Sequence, residues 1–207
     1  MISKYALHDT AKLQDRFQLA QGLPKGVKPN GAVSPTMLAP VVVSRDGRPQ
    51  VELMKWGLVA KGAKDTNSVF RYKTYNVPSE KVLSKHSWEV AVRQSRCLVP
   101  VNGFYVPAGQ ADKGQTSYVQ VKGQALFALA GIYTVWEDPQ GATWGTFAVL
   151  TIEGDRAIAP VDGRIPVILA PDDEARWLDT SVTDANALYG LMRAYSGDML
   201  DISQLDK

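Results

Sequence analysis

The chain carries a single cysteine, Cys97, and only two histidines, His8 and His86. One thiol excludes an internal disulfide framework and fits a reducing compartment. Three soft ligands this far apart lack zinc or iron–sulfur spacing, so neither a metal nor any other cofactor is expected. No apolar stretch reaches the roughly 18 residues of a spanning helix, so no membrane contact is expected. No basic start with an apolar run behind it marks a secretory signal. Gly-x-Gly-x-x-Gly, Gly-x-x-x-x-Gly-Lys-Ser/Thr and Gly-x-Ser-x-Gly are all missing, which leaves the usual nucleotide devices and the nucleophile elbow without support. Neither sign of charge is in excess: 23 Lys and Arg against 21 Asp and Glu leave a net +2. A nucleic-acid site would have to be a local patch. The expected setting is the cytoplasm.

What is present is enough apolar material for a core. The 207 residues are 45% hydrophobic, and they are expected to form one domain over 1–207 with a polar tail at 198–207. The short start, Met1–Ala6, is expected to pack, with no disordered leader expected ahead of it. Asp9 or Thr10 can cap a helix to about Ala20, with Leu13 and Phe17 inward. Glycines and prolines from Gly22 to Gly31 impose a loop. Met37–Ser44 and the segment from Val51 to Trp56 are strands around Asp46-Gly47, a strong hairpin signal. A helix is expected after Pro78, through Val82 and Trp88 to Val92. Arg96–Pro107 is an apolar strand, a glycine turn and a second extended piece. The segments Tyr118–Lys122, Leu126–Trp136, Thr146–Ile152 and Ile165–Leu169 complete the strands, with Gly131 marking a bulge or a close approach. Helices follow Pro171 and Thr183-Asp184, the last ending near Ser196-Gly197. The fold class is α+β: a curved, barrel-like antiparallel β-sheet flanked by helices.

Few residues advertise chemistry. Cys97 lies beside Leu98 and Val99 and reads as a small buried hydrophobe. Glu80, Asp155 and Asp162 sit between elements, where capping and turn roles are commonest. Arg164 follows the Asp162-Gly163 pair; it can clamp a phosphate or serve a surface ion pair.

Three stretches carry a resemblance. Arg96-Cys97-Leu98-Val99-Pro100-Val101-Asn102-Gly103-Phe104-Tyr105-Val106-Pro107 agrees at seven of twelve positions with Arg-Cys-Leu-Ile-Pro-Ala-Asp-Gly-Phe-Tyr-Glu-Trp. Phe127–Tyr133 is similar to Phe-Ala-Phe-Ala-Gly-Leu-Trp. Pro160–Leu169 is similar to Pro-Ile-His-Asp-Arg-Met-Pro-Val-Ile-Leu. Val33-Ser34-Pro35, Trp56-Gly57-Leu58 and Asn76–Glu80 are smaller echoes. The pattern resembles the SRAP family (SOS response-associated peptidase), the abasic-site-processing proteins of the DNA damage response. The resemblance implies attack of an N-terminal cysteine on the aldehyde of an abasic site in single-stranded DNA, closing a thiazolidine. It also implies an asparagine that orients the terminus, a glutamate and a histidine that move protons, and arginines and aromatics that hold the strand.

Carried over residue by residue, the reactive set is broken. Ile2 stands at the cysteine position, and its bulk predicts that Met1 is retained. Val106 stands at the glutamate position, Asp162 at the histidine and Pro78 at an arginine. Asn76, Glu80 and Arg164 remain, with Lys4 at a phosphate-contacting arginine. The candidate catalytic residues are therefore Asn76 and Asp162, and the candidate nucleic-acid contacts Lys4 and Arg164. The expected function is non-covalent binding of single-stranded or abasic-site DNA by a degenerate, non-catalytic member. Two alternatives stand beside it: an interaction module for a protein partner, and Schiff-base chemistry at the Met1 amine with Asp162 assisting strand cleavage.

Overall fold

A computed structural model describes residues 1–107, 116–154 and 163–205. In chain order its strands are β1 (Tyr5–Leu7), β2 (Asn30–Val33), β3 (Leu38–Arg45), β4 (Arg48–Trp56), β5 (Asn76–Pro78), β6 (Arg96–Val101) and β7 (Gly103–Pro107). They continue as β8 (Thr116–Val121), β9 (Phe127–Glu137), β10 (Thr143–Glu153), β11 (Arg164–Pro166), β12 (Ile168–Leu169) and β13 (Leu200–Leu205). The helices are α1 (Leu13–Arg16), α2 (Asn67–Tyr72), α3 (His86–Gln94), α4 (Pro171–Leu178) and α5 (Ala185–Leu191).

The expected barrel-like sheet with flanking helices is present. Strands β4, β3, β6, β9 and β10 pair antiparallel in that order. A short parallel contact of β10 with β4, Thr146 beside Lys55 and Phe147 beside Trp56, closes the ring. Closure leaves those strands no free edge there. The hairpin at Asp46-Gly47 has φ values of 51° and 74°, the positive pair that a two-residue turn needs to match the strand twist.

Strands β6 and β9 are buried on both faces, which explains their near-continuous apolar sequence. Cys97, Val99 and Val101 face the barrel interior with Phe127, Leu129 and Phe147. Leu98, Ala128, Ala130 and Ile132 face outward beneath α3, α4 and α5, against Val92, Trp177 and Leu188. Of the two readings of Gly131, close approach holds: the β6–β9 register runs through it unbroken, and a Cβ there would stand 2.7 Å from Cys97 Sγ. A second sheet, ordered β13-β8-β7-β1-β2, packs one face on the barrel cluster through Tyr5, Phe104, Val119 and Leu200. No helix among the described residues is long and apolar enough to cross a membrane.

Four boundaries differ from the sequence reading. The first helix ends at Arg16, because Gln18 turns left-handed with φ 48° and the Ala20 amide bonds to Pro49 O. The helix expected after Pro78 begins instead at His86, after one 3-10 turn over Ser79–Lys81. Asp184 caps α5 by accepting from the Ala187 amide, but α5 ends at Leu191 rather than near Ser196. The polar tail is not a loose tail throughout: Leu200–Leu205 pairs along the whole of β8. Leu200 and Ile202 share one face opposite Val121 and Val119, a period of two that charged neighbours obscure.

Asn102 ties the β6–β7 corner to the N-terminal segment. Its Oδ1 accepts from the His8 amide at 2.6 Å and the Asp9 amide at 3.1 Å. Its Nδ2 donates to Asp9 Oδ2 at 2.9 Å and to Ala125 O at 2.5 Å. Asn102→Asp should therefore cost about 2–4 kcal/mol at pH 7, by losing two donors and setting a carboxylate against Asp9. The new acid's folded pKa would be raised, so its protonated form suits the fold. The loss should be smallest near pH 4 and grow as pH rises through the folded pKa. Denaturant unfolding at the two pH values checks this; equal losses would refute it.

Candidate functional site

The N-terminal strand brings residue 2 inside the molecule. Tyr5 pairs with Phe104, and the amides of Tyr105 and Asn102 bond to Lys4 O and Ala6 O. Ile2 is fully buried in the cluster that holds Trp56, Phe104 and Val106. Trp56 lies 5.0 Å from the Tyr5 ring and 5.9 Å from Tyr75. Its indole N–H donates to Tyr75 O at 2.8 Å, which fixes the backbone just before Asn76.

Asn76 then reaches the terminus. Its Nδ2 donates to the Ile2 carbonyl at 2.6 Å, and the residue is only 4% exposed. Asn76 Oδ1 is buried with no hydrogen-bond partner among the described residues. An acceptor left so costs about 1–3 kcal/mol and is suited to a donor on a bound molecule. The Met1 α-amino group is partly buried, and its pKa is pushed down to about 6. Burial is the main cause, followed by the charges of Arg164 and Lys73. Lys73 ends α2 in the left-handed region, φ 51°.

Arg164 is held on β10. Its Nη2 donates to Thr151 O at 2.7 Å and to Glu80 Oε2 at 2.8 Å, and its Nε to Thr151 Oγ1 at 3.3 Å. Burial, the largest single influence, pushes the Glu80 carboxyl up, but the hydrogen bond and charge of Arg164 together with backbone hydrogen bonds at Glu80 and Glu153 leave its pKa lowered on balance. Parallel pairing of β5 with β10 sets Asn76 beside Val149 and Pro78 beside Thr151. Asn76, Glu80 and Arg164 thus come from three segments onto one end of β10.

The structure gathers Asn76, Ile2 and Arg164 near the Met1 amine. Lys4 lies on the outward side, its Nζ 4.7 Å from the Tyr105 ring centroid. Val106 is a core residue, 1% exposed. Asp162 and Asp155 lie outside the described residues. Cys97 is buried, and burial pushes its thiol far above the usual range, in keeping with a small hydrophobe. Sequence reasoning missed Thr151, Lys73 and Tyr75. A threonine closing an apolar strand, Thr151, was the only visible signal among them. A cleft of about 600 Å³ between α1, the β3–β4 turn and α4 shares no residue with this cluster.

The arrangement has chemical consequences. No thiol reaches the terminus and no carboxyl occupies position 106. An amine whose pKa is lowered to about 6, a buried amide acceptor and nearby cations remain.

A family profile described as SOS response associated peptidase (SRAP) matches residues 1–207. The abasic site processing protein YoaM of Bacillus subtilis is 29% identical over 193 residues, covering 92% of this chain and 84% of that protein. The abasic site processing protein YoqW of Bacillus phage SPbeta is 28% identical and covers 92% and 85%. The abasic site processing protein HMCES of Gallus gallus is 28% identical over 87% of this chain and 63% of its own length. A crystal structure of a Bacteroides thetaiotaomicron protein superposes with a TM-score of 0.84 at 22% identity, over 100% of this chain and 90% of that one. A phage-related protein of Bordetella bronchiseptica superposes at 0.74 with 18% identity, over 99% and 94%. With a terminus held by Asn76, a barrel of this topology and a match over its whole length, the chain belongs to the SOS response associated peptidase (SRAP) family.

Proposed function

We propose that this protein binds single-stranded DNA at abasic sites, without closing a thiazolidine, at the N-terminal segment that Asn76 holds around Met1 and Ile2. The observation that carries the reading is the 2.6 Å bond from Asn76 to the Ile2 carbonyl. It holds the terminus in a fixed pose although residue 2 has no thiol. The unpartnered Asn76 Oδ1 offers an acceptor to a hydroxyl of the opened sugar. Lys4 and Arg164 supply phosphate contacts. Glu80 competes for Arg164, so affinity rests on few charges and is strongly salt-dependent. The relatives' names, abasic site processing proteins, support the substrate class.

The test is binding to fluorescent single-stranded DNA, intact or with one abasic site, at low and physiological salt, with the same samples run on a denaturing gel. Binding without a covalent band is expected. Lys4→Ala should reduce the slope of log K against log salt by about one. No binding at low salt would overturn the reading in favour of a protein partner.

The Met1 amine favours a second reading. Its nitrogen can attack the abasic aldehyde carbon and lose water to give an imine, which borohydride reduces to a stable secondary amine. Asp162 is the candidate to assist β-elimination. A trapped adduct should form readily at pH 7–8 and fade below about pH 6, where the amine becomes protonated. No trapped band at any pH would exclude this chemistry.

A further inference from the structure

We propose that the outer face of the second sheet carries a base-stacking subsite built on Tyr105 and Tyr118, with Lys4 as its phosphate partner, for a nucleotide flanking the abasic position. The inference rests on the DNA-binding reading above and names where the strand runs on from the held terminus.

Among the described residues, the main helix packing, that of α3 and α4, falls on β6 and β9. The second sheet's inward positions, Phe104, Val119 and Val121, are buried, whereas outward Tyr105, Tyr118 and Gln120 are half-exposed. Tyr105 and Tyr118 stand directly opposite on β7 and β8. Their ring centroids are 4.9 Å apart with planes inclined at 45°. Two features hold these rings in place. Tyr105 Oη donates to Gly31 O at 2.8 Å. Tyr118 lies over Gly103, where a Cβ would come within 2.4 Å of Tyr118 Cζ. Only glycine lets the ring lie against the strand and turn its other side outward.

The cation is placed to complete the site. Lys4 Nζ rests on the Tyr105 ring, and Lys4 takes part in no salt bridge among the described residues. An exposed cation–π contact is weak beside a base stack plus a phosphate contact. An arriving phosphate draws the ammonium off the ring and frees that ring face for the base. Lys4 is two residues from Ile2, about 7 Å along extended chain, so the subsite adjoins the held terminus. On the far side, Asp201 pairs with Gln120 across β8–β13 and sits 3.9 Å from Lys122. Every base has a π-face, so this subsite is indifferent to sequence.

The test pairs variants with photocross-linking. A single strand with one abasic site and 5-iododeoxyuridine as its neighbour is irradiated with wild-type protein, and the adduct is mapped by mass spectrometry. Cross-links at Tyr105 or Tyr118 are expected. Tyr105→Ala should weaken binding about tenfold, while Tyr105→Phe, which keeps the ring, should stay within about twofold. If wild type binds but cross-links elsewhere, and Tyr105→Ala binds as wild type does, the subsite is refuted and the DNA-binding reading stands. If wild type does not bind at all, both fall. Should Tyr105→Ala unfold, the wild-type cross-link and Tyr105→Phe decide the matter alone.

Discussion

Arg96→Met is expected to be the most destabilising single change in this protein, costing about 3–5 kcal/mol and lowering the melting temperature by about 10 °C or more. Arg96 is 2% exposed and has no salt bridge among the described residues. Its guanidinium donates instead to four backbone carbonyls. Nη1 bonds to Val92 O at 2.6 Å and Arg93 O at 3.1 Å, while Nε bonds to Trp177 O and Nη2 to Asp179 O. Val92 and Arg93 lie in the last turn of α3, and Trp177 and Asp179 at the end of α4. One side chain thus supplies donors to the C-terminal carbonyls of two helices and meets the negative ends of both dipoles. Burial lowers its pKa to about 10, opposed by Asp179, so it stays charged at neutral pH. Methionine fills similar space but takes the donor from four carbonyls, two of them buried. Lysine restores the charge without the planar fork, so Arg96→Lys should recover only part of the loss. Thermal unfolding of the three proteins checks this. A methionine variant within about 1 kcal/mol of wild type would contradict the account of the two helix ends.

The second large effect is chemical. Ile2→Cys should convert a protein that gives no thiol-dependent adduct into one that forms a denaturation-resistant complex with abasic single-stranded DNA. Cysteine is small enough for Met1 to be removed, which leaves residue 2 as the amino terminus. Asn76 would still hold its carbonyl. The free amine condenses with the aldehyde and loses water, and the thiol adds to the imine carbon to close the ring. Removing the buried isoleucine side chain costs about 1–3 kcal/mol, a loss that unfolding measurements can separate from the chemistry. A denaturing gel with and without hydroxylamine, and with intact DNA as control, reads the result. An unchanged gel would mean that position 2 is not the only block. Val106 is the next candidate. At 1% exposure it sits in apolar surroundings, where Val106→Glu alone would bury a carboxylate and raise its pKa.

How much of this could be read from the residues depends on the range of the interaction that settles each point. Asp46-Gly47 shows its hairpin because a turn is local. The apolar runs at β6, β9 and β10 show that both faces are covered, though not by what. The C-terminal strand was obscured because Asp201, Ser203 and Gln204 look like a solvated tail until β8 offers its edge. Arg96 gave no hint of its role, because its four acceptors lie in other segments. Arg164 could be narrowed to a phosphate clamp or an ion pair. Only its bonds to Glu80 and Thr151 show how far its donors are engaged.

The sequence by itself determined the α+β class, the turn positions, the absence of a thiol at residue 2 and of a carboxyl at residue 106, and the family resemblance. These depend on residue identity and on periods of two to four residues. The tertiary structure alone decided the closure of the barrel through β4 and β10, the depressed pKa of the Met1 amine and the capping of two helices by Arg96. It also decided the placement of Lys4 on Tyr105. Each joins groups from distant segments, and each depends on burial or on hydrogen bonds that no local pattern encodes.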